Sequence, residues 1–235
     1  MSITGDYIKP HLKSINDPLP KLKSAFDLEE WLLSRYITQR MDELGMNSLK
    51  IADFGCGTGR PMIALAQRFP QNVFMGFDND PNMIAAAYDR VNAPGLLRVN
   101  SSFHEQDVLL FAEQSNDRLT KWFDVIYSAY NTIGSFTDAE RRRFILAQKM
   151  LTASGGYIIN GTWSRDKSTT AFLKQYYPHI GIRINQITPD FADTDYCVFK
   201  RLDPDQLHEE ERQQGIIPEC TIHAGVWTFV IGKVE

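Results

Sequence analysis

A chain of 235 residues, 43% of them apolar and 11% aromatic, has the side chains for a sizeable globular core. Its net charge of −4 offers phosphates no basic face, which argues against a nucleic-acid partner; Arg141-Arg142-Arg143, the one dense basic cluster, falls in a helical stretch and reads as a solvated face. No apolar run approaches the roughly 20 residues that cross a bilayer, residues 1–6 lack the pattern of a secretory leader, and the scattered Cys56, Cys197 and Cys220 suit neither disulfides nor zinc, so a reduced, cytoplasmic chain with no membrane or metal partner is expected.

The first 24 residues carry Pro10, Pro18 and Pro20 and read as a short helix followed by an extended connector. Phe26, Leu28, Trp31, Leu32, Tyr36, Ile37, Met41 and Leu44 then recur at helical spacing, with Asp27 and Glu30 as a capping box and Gly45 as the stop. From there short apolar strands alternate with amphipathic helices. Strands are expected over 49–54, 73–77, near Phe103, over 122–127 and over 156–160; helices are expected over 60–69, 81–91 and 137–151. This rhythm predicts an α/β fold: a doubly wound, mostly parallel seven-stranded sheet with helices on both faces. Beyond residue 160 the pattern gives a helix over 166–177, strands over 182–188 and 196–201 around Pro189-Asp190, and a helix over 204–214. A final hairpin, 216–223 and 226–234, turns at Ala224-Gly225. One domain is expected over 1–235. It comprises an N-terminal helical lid over 1–45, a cofactor-binding core over 48–160, and a small cap plus the last strands over 161–235.

Asp53-Phe54-Gly55-Cys56-Gly57-Thr58-Gly59 lies between a strand and a helix. Glycines there let a ligand approach the backbone, and the helix start offers free N–H groups. The spacing G-x-G-x-G is not the dinucleotide pattern, for Arg60 stands where a third glycine would fall, and no Gly-Lys-Ser/Thr follows to make a P-loop. Asp53, at the end of the strand, would repel a pyrophosphate and attract an ammonium or sulfonium; at 4 Å such a pair is worth roughly 4 kcal/mol at an effective dielectric near 20. The loop therefore favours a cationic ligand.

These residues resemble the class I S-adenosylmethionine (SAM)-dependent methyltransferases, most closely over 48–160. The resemblance implies that the loop backbone at Gly55, Cys56, Gly57 and Gly59, with Asp53, holds the methionine portion of SAM. It also implies that Asp78, in Phe77-Asp78-Asn79-Asp80-Pro81-Asn82-Met83, binds the ribose hydroxyls, with Asn79 and Met83 beside it. A carboxylate can accept from two vicinal hydroxyls at once, and the neighbouring helix cap is better served by Asp80 or Asn79. Glu105-Gln106-Asp107-Val108 resembles the adenine segment, Asp107 accepting from the exocyclic amine and Val108 packing on the ring. Ala153 and Arg60-Pro61 depart from the family's common pattern without touching the chemistry, and Pro61 suits a first helical turn.

Ligands of such sheets lie beyond the carboxyl ends of the strands. That places Ser128 beside the cofactor and Tyr7, Tyr130, Asn131 and Trp163 around the acceptor, Tyr130 and Asn131 nearest the transferred methyl. Transfer needs mainly alignment, because the sulfonium is already a good leaving group, and a base is required only for a protonated nucleophile. None of the five histidines falls in the expected rim. Methyl transfer to nitrogen or oxygen of a small molecule is the leading reading, with S-adenosylhomocysteine as product and a monomer or homodimer as the unit. SAM chemistry on the aminobutyrate group, releasing methylthioadenosine, and a non-catalytic SAM-binding subunit are the alternatives.

Overall fold

The computed structural model describes residues 7–96, 99–111 and 119–235; residues 1–6, read above for a leader and as the start of the lid, lie outside them. Seven strands form one sheet in the order β3-β2-β1-β4-β5-β10-β9. They are β1 (Lys50–Phe54), β2 (Val73–Asp78), β3 (Ser101–Glu105), β4 (Phe123–Ser128), β5 (Thr152–Trp163), β9 (Ile216–Ala224) and β10 (Trp227–Val234). The first five run parallel, and β10 enters antiparallel between β5 and β9. This is the expected mostly parallel, seven-stranded α/β sheet.

Strands buried on both faces must be apolar on both, and β4 shows it: Phe123, Val125, Ile126 and Tyr127 are all fully buried. On one face pack α1 (Ile8–Asn16), α2 (Pro20–Leu44), α3 (Arg60–Arg68), α4 (Pro81–Val91) and α7 (Lys167–His179); on the other pack α5 (Val108–Phe111), α6 (Asp138–Leu151) and α8 (Pro204–Gln213). Two separate apolar clusters result, and each fully buried Leu or Phe in them contributes about 1.5–3 kcal/mol. The Thr137–Glu140 capping box fixes the start of α6, and Asp80 caps α4 by accepting from the Asn82 N–H at 2.8 Å.

Four expectations need correction. The second helix starts at Pro20, about two turns before Asp27, because Pro20 supplies a ready first-turn φ after Leu19. Asp27 and Glu30 are thus interior residues, and Glu30 instead pairs with Arg60 at 3.0 Å. The fifth strand is longer than 156–160, because Thr152 already pairs with Phe123. Residues 153–156 then leave the ladder and Tyr157 pairs with Val125, so its regular part begins close to where the sequence placed it. The hairpin turns one residue late, at Gly225-Val226.

Between β5 and α8 the chain adds α7 and a small antiparallel sheet, β6 (Ile184–Ile187), β7 (Phe191–Thr194) and β8 (Val198–Lys200). Two strands were expected here; the third, β7, follows directly on the expected turn at Pro189-Asp190. Arg201 ties this insertion down. Its buried guanidinium donates to the carbonyls of Ser164, Asp166 (3.1 Å) and Thr188 (2.7 Å) and to the Thr170 hydroxyl (2.7 Å). Replacing it takes the donor from the Ser164 and Thr188 carbonyls, so Arg201→Met is expected to cost about 2–4 kcal/mol. A urea titration checks this, and an unchanged midpoint would remove Arg201 as the anchor.

Candidate active site

The sheet order changes direction at β1: β2 follows on one side and β4 flanks the other. The register brings Asp53 beside Tyr127 and Phe54 beside Phe77, so the strands end together along one edge. Helices cannot cover the gap at such a point, which leaves a crevice. The glycine loop crosses it under tight control. Gly55 N–H and Cys56 N–H both donate to the Phe77 carbonyl, at 2.8 and 3.0 Å, and Gly57 N–H donates to Asp78 Oδ2 at 2.8 Å. Gly55 (φ 78°) and Gly57 (φ 52°) are left-handed, and a Cβ on Gly55 would stand 2.3 Å from Thr132 Cγ2.

Beyond the loop opens a cleft of about 1100 Å³, including its mouth. Among the expected residues, Tyr7, Gly55, Gly57, Asp78, Asn79, Met83, Asp107, Val108, Tyr130 and Asn131 line it. Asp53 and Cys56 line a smaller recess on the other side of Gly55, His11 and Tyr130. Three of the expected residues lie behind these walls. Gly59 is the residue before α3, and a Cβ on it would run into the Phe103 ring; Ser128 is buried at the end of β4. Trp163, expected on the acceptor wall, is one layer back, stacked on Trp227 at 4.0 Å and touching the Tyr130 ring. Asn131 borders the cleft, but its Oδ1 accepts from the Thr162 hydroxyl (2.8 Å) and the Trp163 N–H (3.1 Å), so its acceptor oxygen is committed to β5.

Tyr130 and Asn131 are consecutive non-glycine residues in the left-handed region, with φ of 56° and 62°. Such strain persists only where surroundings enforce it. The Asn131 bonds supply one constraint. The Tyr130 hydroxyl supplies another, meeting the Tyr176 hydroxyl at 2.5 Å, with the rings of Phe26, His11, Trp163 and Trp227 around it.

Charge in the site is uneven. Asp78 ends β2, and burial pushes its carboxyl up while the N–H groups of Asp80 and Gly57 pull it back. Asp107 accepts from the Leu109 N–H at 2.9 Å through Oδ1. Asp53 is 1% exposed, and neither of its oxygens has a hydrogen bond of normal geometry. Arg60 shares the recess, yet it is claimed by Glu29 and Glu30 of α2 and lies over the Phe26 ring at 3.8 Å. No Lys or Arg is among the described residues lining the large cleft.

The sequence pattern missed His11, Ser135, Phe136 and Phe199, all of which line the cleft. His11 matters most: it sits on α1, borders both cavities, and its Nε2 is 3.4 Å from the Thr58 hydroxyl. Burial, aided by Arg60 and Arg90, pulls its pKa down to about 4, so the ring is neutral near pH 7. Helical spacing on α1 places His11 one turn after Tyr7, which is the signal that could have found it.

Residues 51–156 match the family model for a methyltransferase domain. This span carries β1, the glycine loop, Asp78, Asp107 and β4, the elements that build the crevice. That stretch is a methyltransferase domain. No curated protein matches the methyltransferase in sequence. Among solved structures it is similar to a protein of Pyrococcus horikoshii OT3, at 17% identity over 100% of both chains with a TM-score of 0.70. It is similar also to SAM-dependent methyltransferases of Clostridium acetobutylicum ATCC 824 (13% identity, 95% of this chain and 96% of that one, TM-score 0.66) and Aquifex aeolicus (16%, 96% and 98%, 0.63). At these identities the likeness is one of fold.

The methyltransferase's own residues fit SAM. The unpartnered Asp53 carboxylate suits a cation, the Asp78 carboxylate borders the cleft as an acceptor, and Met83 and Val108 add apolar surface to the lining that includes Asp107. The glycine loop must keep its shape for this. Gly55→Ala combines a left-handed alanine with the Thr132 clash, and is expected to cost about 2–4 kcal/mol, read as a lowered urea midpoint. An unshifted midpoint would show that the loop yields freely.

Proposed function

We propose that the methyltransferase moves the methyl group of SAM to nitrogen or oxygen of a small molecule held between Tyr7, His11, Tyr130, Phe136 and Phe199. The observation that carries this reading is the mixed lining of the cleft. It joins acidic and apolar groups suited to a nucleoside (Asp78, Asp107, Met83, Val108) with aromatic rings and one neutral imidazole. SAM supplies a methyl on an already activated sulfur. The chain's task is then to align the acceptor and exclude water. The α1 helix does both from above, since Tyr7 packs against Tyr196 and Phe199, and His11 against Tyr130. Asp78 is assigned the ribose hydroxyls, Asp107 and Val108 the adenine, and the recess at Asp53 the amino-acid end.

A cleft whose described lining holds no Lys or Arg gives no grip on phosphate, which favours a small acceptor over nucleic acid. His11 is the only described imidazole in the cleft, and its neutral form can accept a proton from a hydroxyl or amine acceptor. The Tyr130 ring stands between recess and cleft and is fixed by Tyr176, so it holds position as the acceptor enters.

Mass spectrometry of the protein with SAM, with and without cell extract, tests the reaction. S-adenosylhomocysteine forming only with extract supports methyl transfer; methylthioadenosine forming instead would replace it with chemistry on the aminobutyrate group. Asp78→Ala is expected to weaken SAM binding by about 1–3 kcal/mol in calorimetry, and unchanged affinity would take Asp78 out of the site. With the acceptor in hand, His11→Ala should lower kcat by about 10²-fold or more. With SAM saturating, kcat/KM for the acceptor should fall in the unaltered enzyme as pH drops toward about 4, where His11 gains its proton. A full-rate His11→Ala enzyme would exclude His11 as the base.

A further inference from the structure

Asp53 ends β1 inside the smaller recess, buried, with both carboxylate oxygens lacking a hydrogen-bond partner. Every element around it presents a group. The Tyr127 hydroxyl faces it from β4, also without a bond of normal geometry, and Tyr130 follows on the same segment. Cys56 comes from the glycine loop, Asp78 from β2, His11 from α1 and Arg60 from α3. Arg60 is the one permanent cation among the described residues lining the recess, and Glu29 and Glu30 already balance it with two carboxylates. Asp53 therefore has no cation of its own. A carboxylate buried without a partner is held in its neutral form rather than its charged one.

We propose that Asp53 makes cofactor loading proton-linked: it carries a proton in the ligand-free protein and releases that proton to solvent when a ligand's α-ammonium group enters the recess. The inference rests on the SAM reading and concerns the regulation of that same site. The exchange balances. A neutral carboxylic acid and an ammonium ion become a carboxylate–ammonium pair, with one proton leaving to water and no covalent bond made or broken in the ligand. Burial pushes the Asp53 carboxyl well above the usual range and Asp78 adds to it, against a smaller opposing effect of the Tyr127 hydroxyl. The arriving ammonium reverses this and stabilises the charged form. A group whose pKa falls on binding favours binding as pH rises, so affinity should climb by up to about tenfold per pH unit below the free protein's Asp53 pKa and then level off. His11 stays neutral above about pH 5 and does not contribute a proton there.

The test is titration calorimetry in buffers of different protonation enthalpy, using S-adenosylhomocysteine, which bears the ammonium, and methylthioadenosine, which lacks it. The first should bind with net proton release, up to one per site, below the free protein's Asp53 pKa, and the second with none. Asp53→Asn should abolish the release and weaken S-adenosylhomocysteine at least tenfold while leaving methylthioadenosine affinity within about twofold. Should that variant not fold, the two ligands compared on the unaltered protein still decide. Binding of S-adenosylhomocysteine with no net proton release from about pH 5 to pH 8, or equal release by both ligands, would overturn the proposal and leave the SAM reading standing. If neither S-adenosylhomocysteine nor SAM binds at all, the SAM reading falls and the proposal with it.

Discussion

The site depends on how the glycine loop leaves β1. Gly55 and Cys56 both give their N–H groups to the carbonyl of Phe77, and Gly57 gives its own to the Asp78 carboxylate. One strand end thus fixes the path of another strand's loop. Because parallel neighbours end together, the same edge also gathers Asp53, Tyr127 and Ser128. Were the loop free to swing, the start of α3 would move with it, and Arg60 would lose its registration against Glu29 and Glu30.

That charge cluster, with Glu29 buried and Glu30 half-buried, has a second effect. Arg60 joins α2 to α3 across the outside of the recess, so the long helix is keyed to the loop as well as packed on the sheet. Removing one of several mutually buried charges is far more damaging than replacing all of them together with apolar groups. The aromatic wall behaves alike: Tyr130 is held on every side by rings and by the Tyr176 hydroxyl, which makes it a stiff partition between the two cavities.

Much of this was legible in the sequence, and for a local reason. The glycine loop, Asp53 and Asp78 are set by residues adjacent in the chain, and their spacing states the turn before any tertiary contact forms. Strands buried on both faces announce themselves as apolar runs, as in Phe123–Ser128. What escaped depends on distant partners. Pro20 permits a helix start, but with no side-chain cap before it the sequence does not choose that start over Asp27, and packing stabilises the first turns. His11 became a cleft residue only when α1 crossed the loop, and Trp163 left the expected wall because Trp227, on a strand more than 60 residues later, stacks on it. Asn131 was placed correctly along the chain, but its committed oxygen could not be foreseen without Thr162.

The Trp163–Trp227 stack gives the molecule a built-in optical signal. Two indoles 4.0 Å apart and nearly parallel, at 21°, couple their transitions, and both touch the ring of Tyr130 that borders the cleft. Trp31 is half exposed at 53% and stands on the far face of α2, so its emission is set by water. The near-ultraviolet dichroism of the buried pair should therefore register any shift of Tyr130, while Trp31 serves as an internal reference. Occupancy of this cleft could be followed without a label.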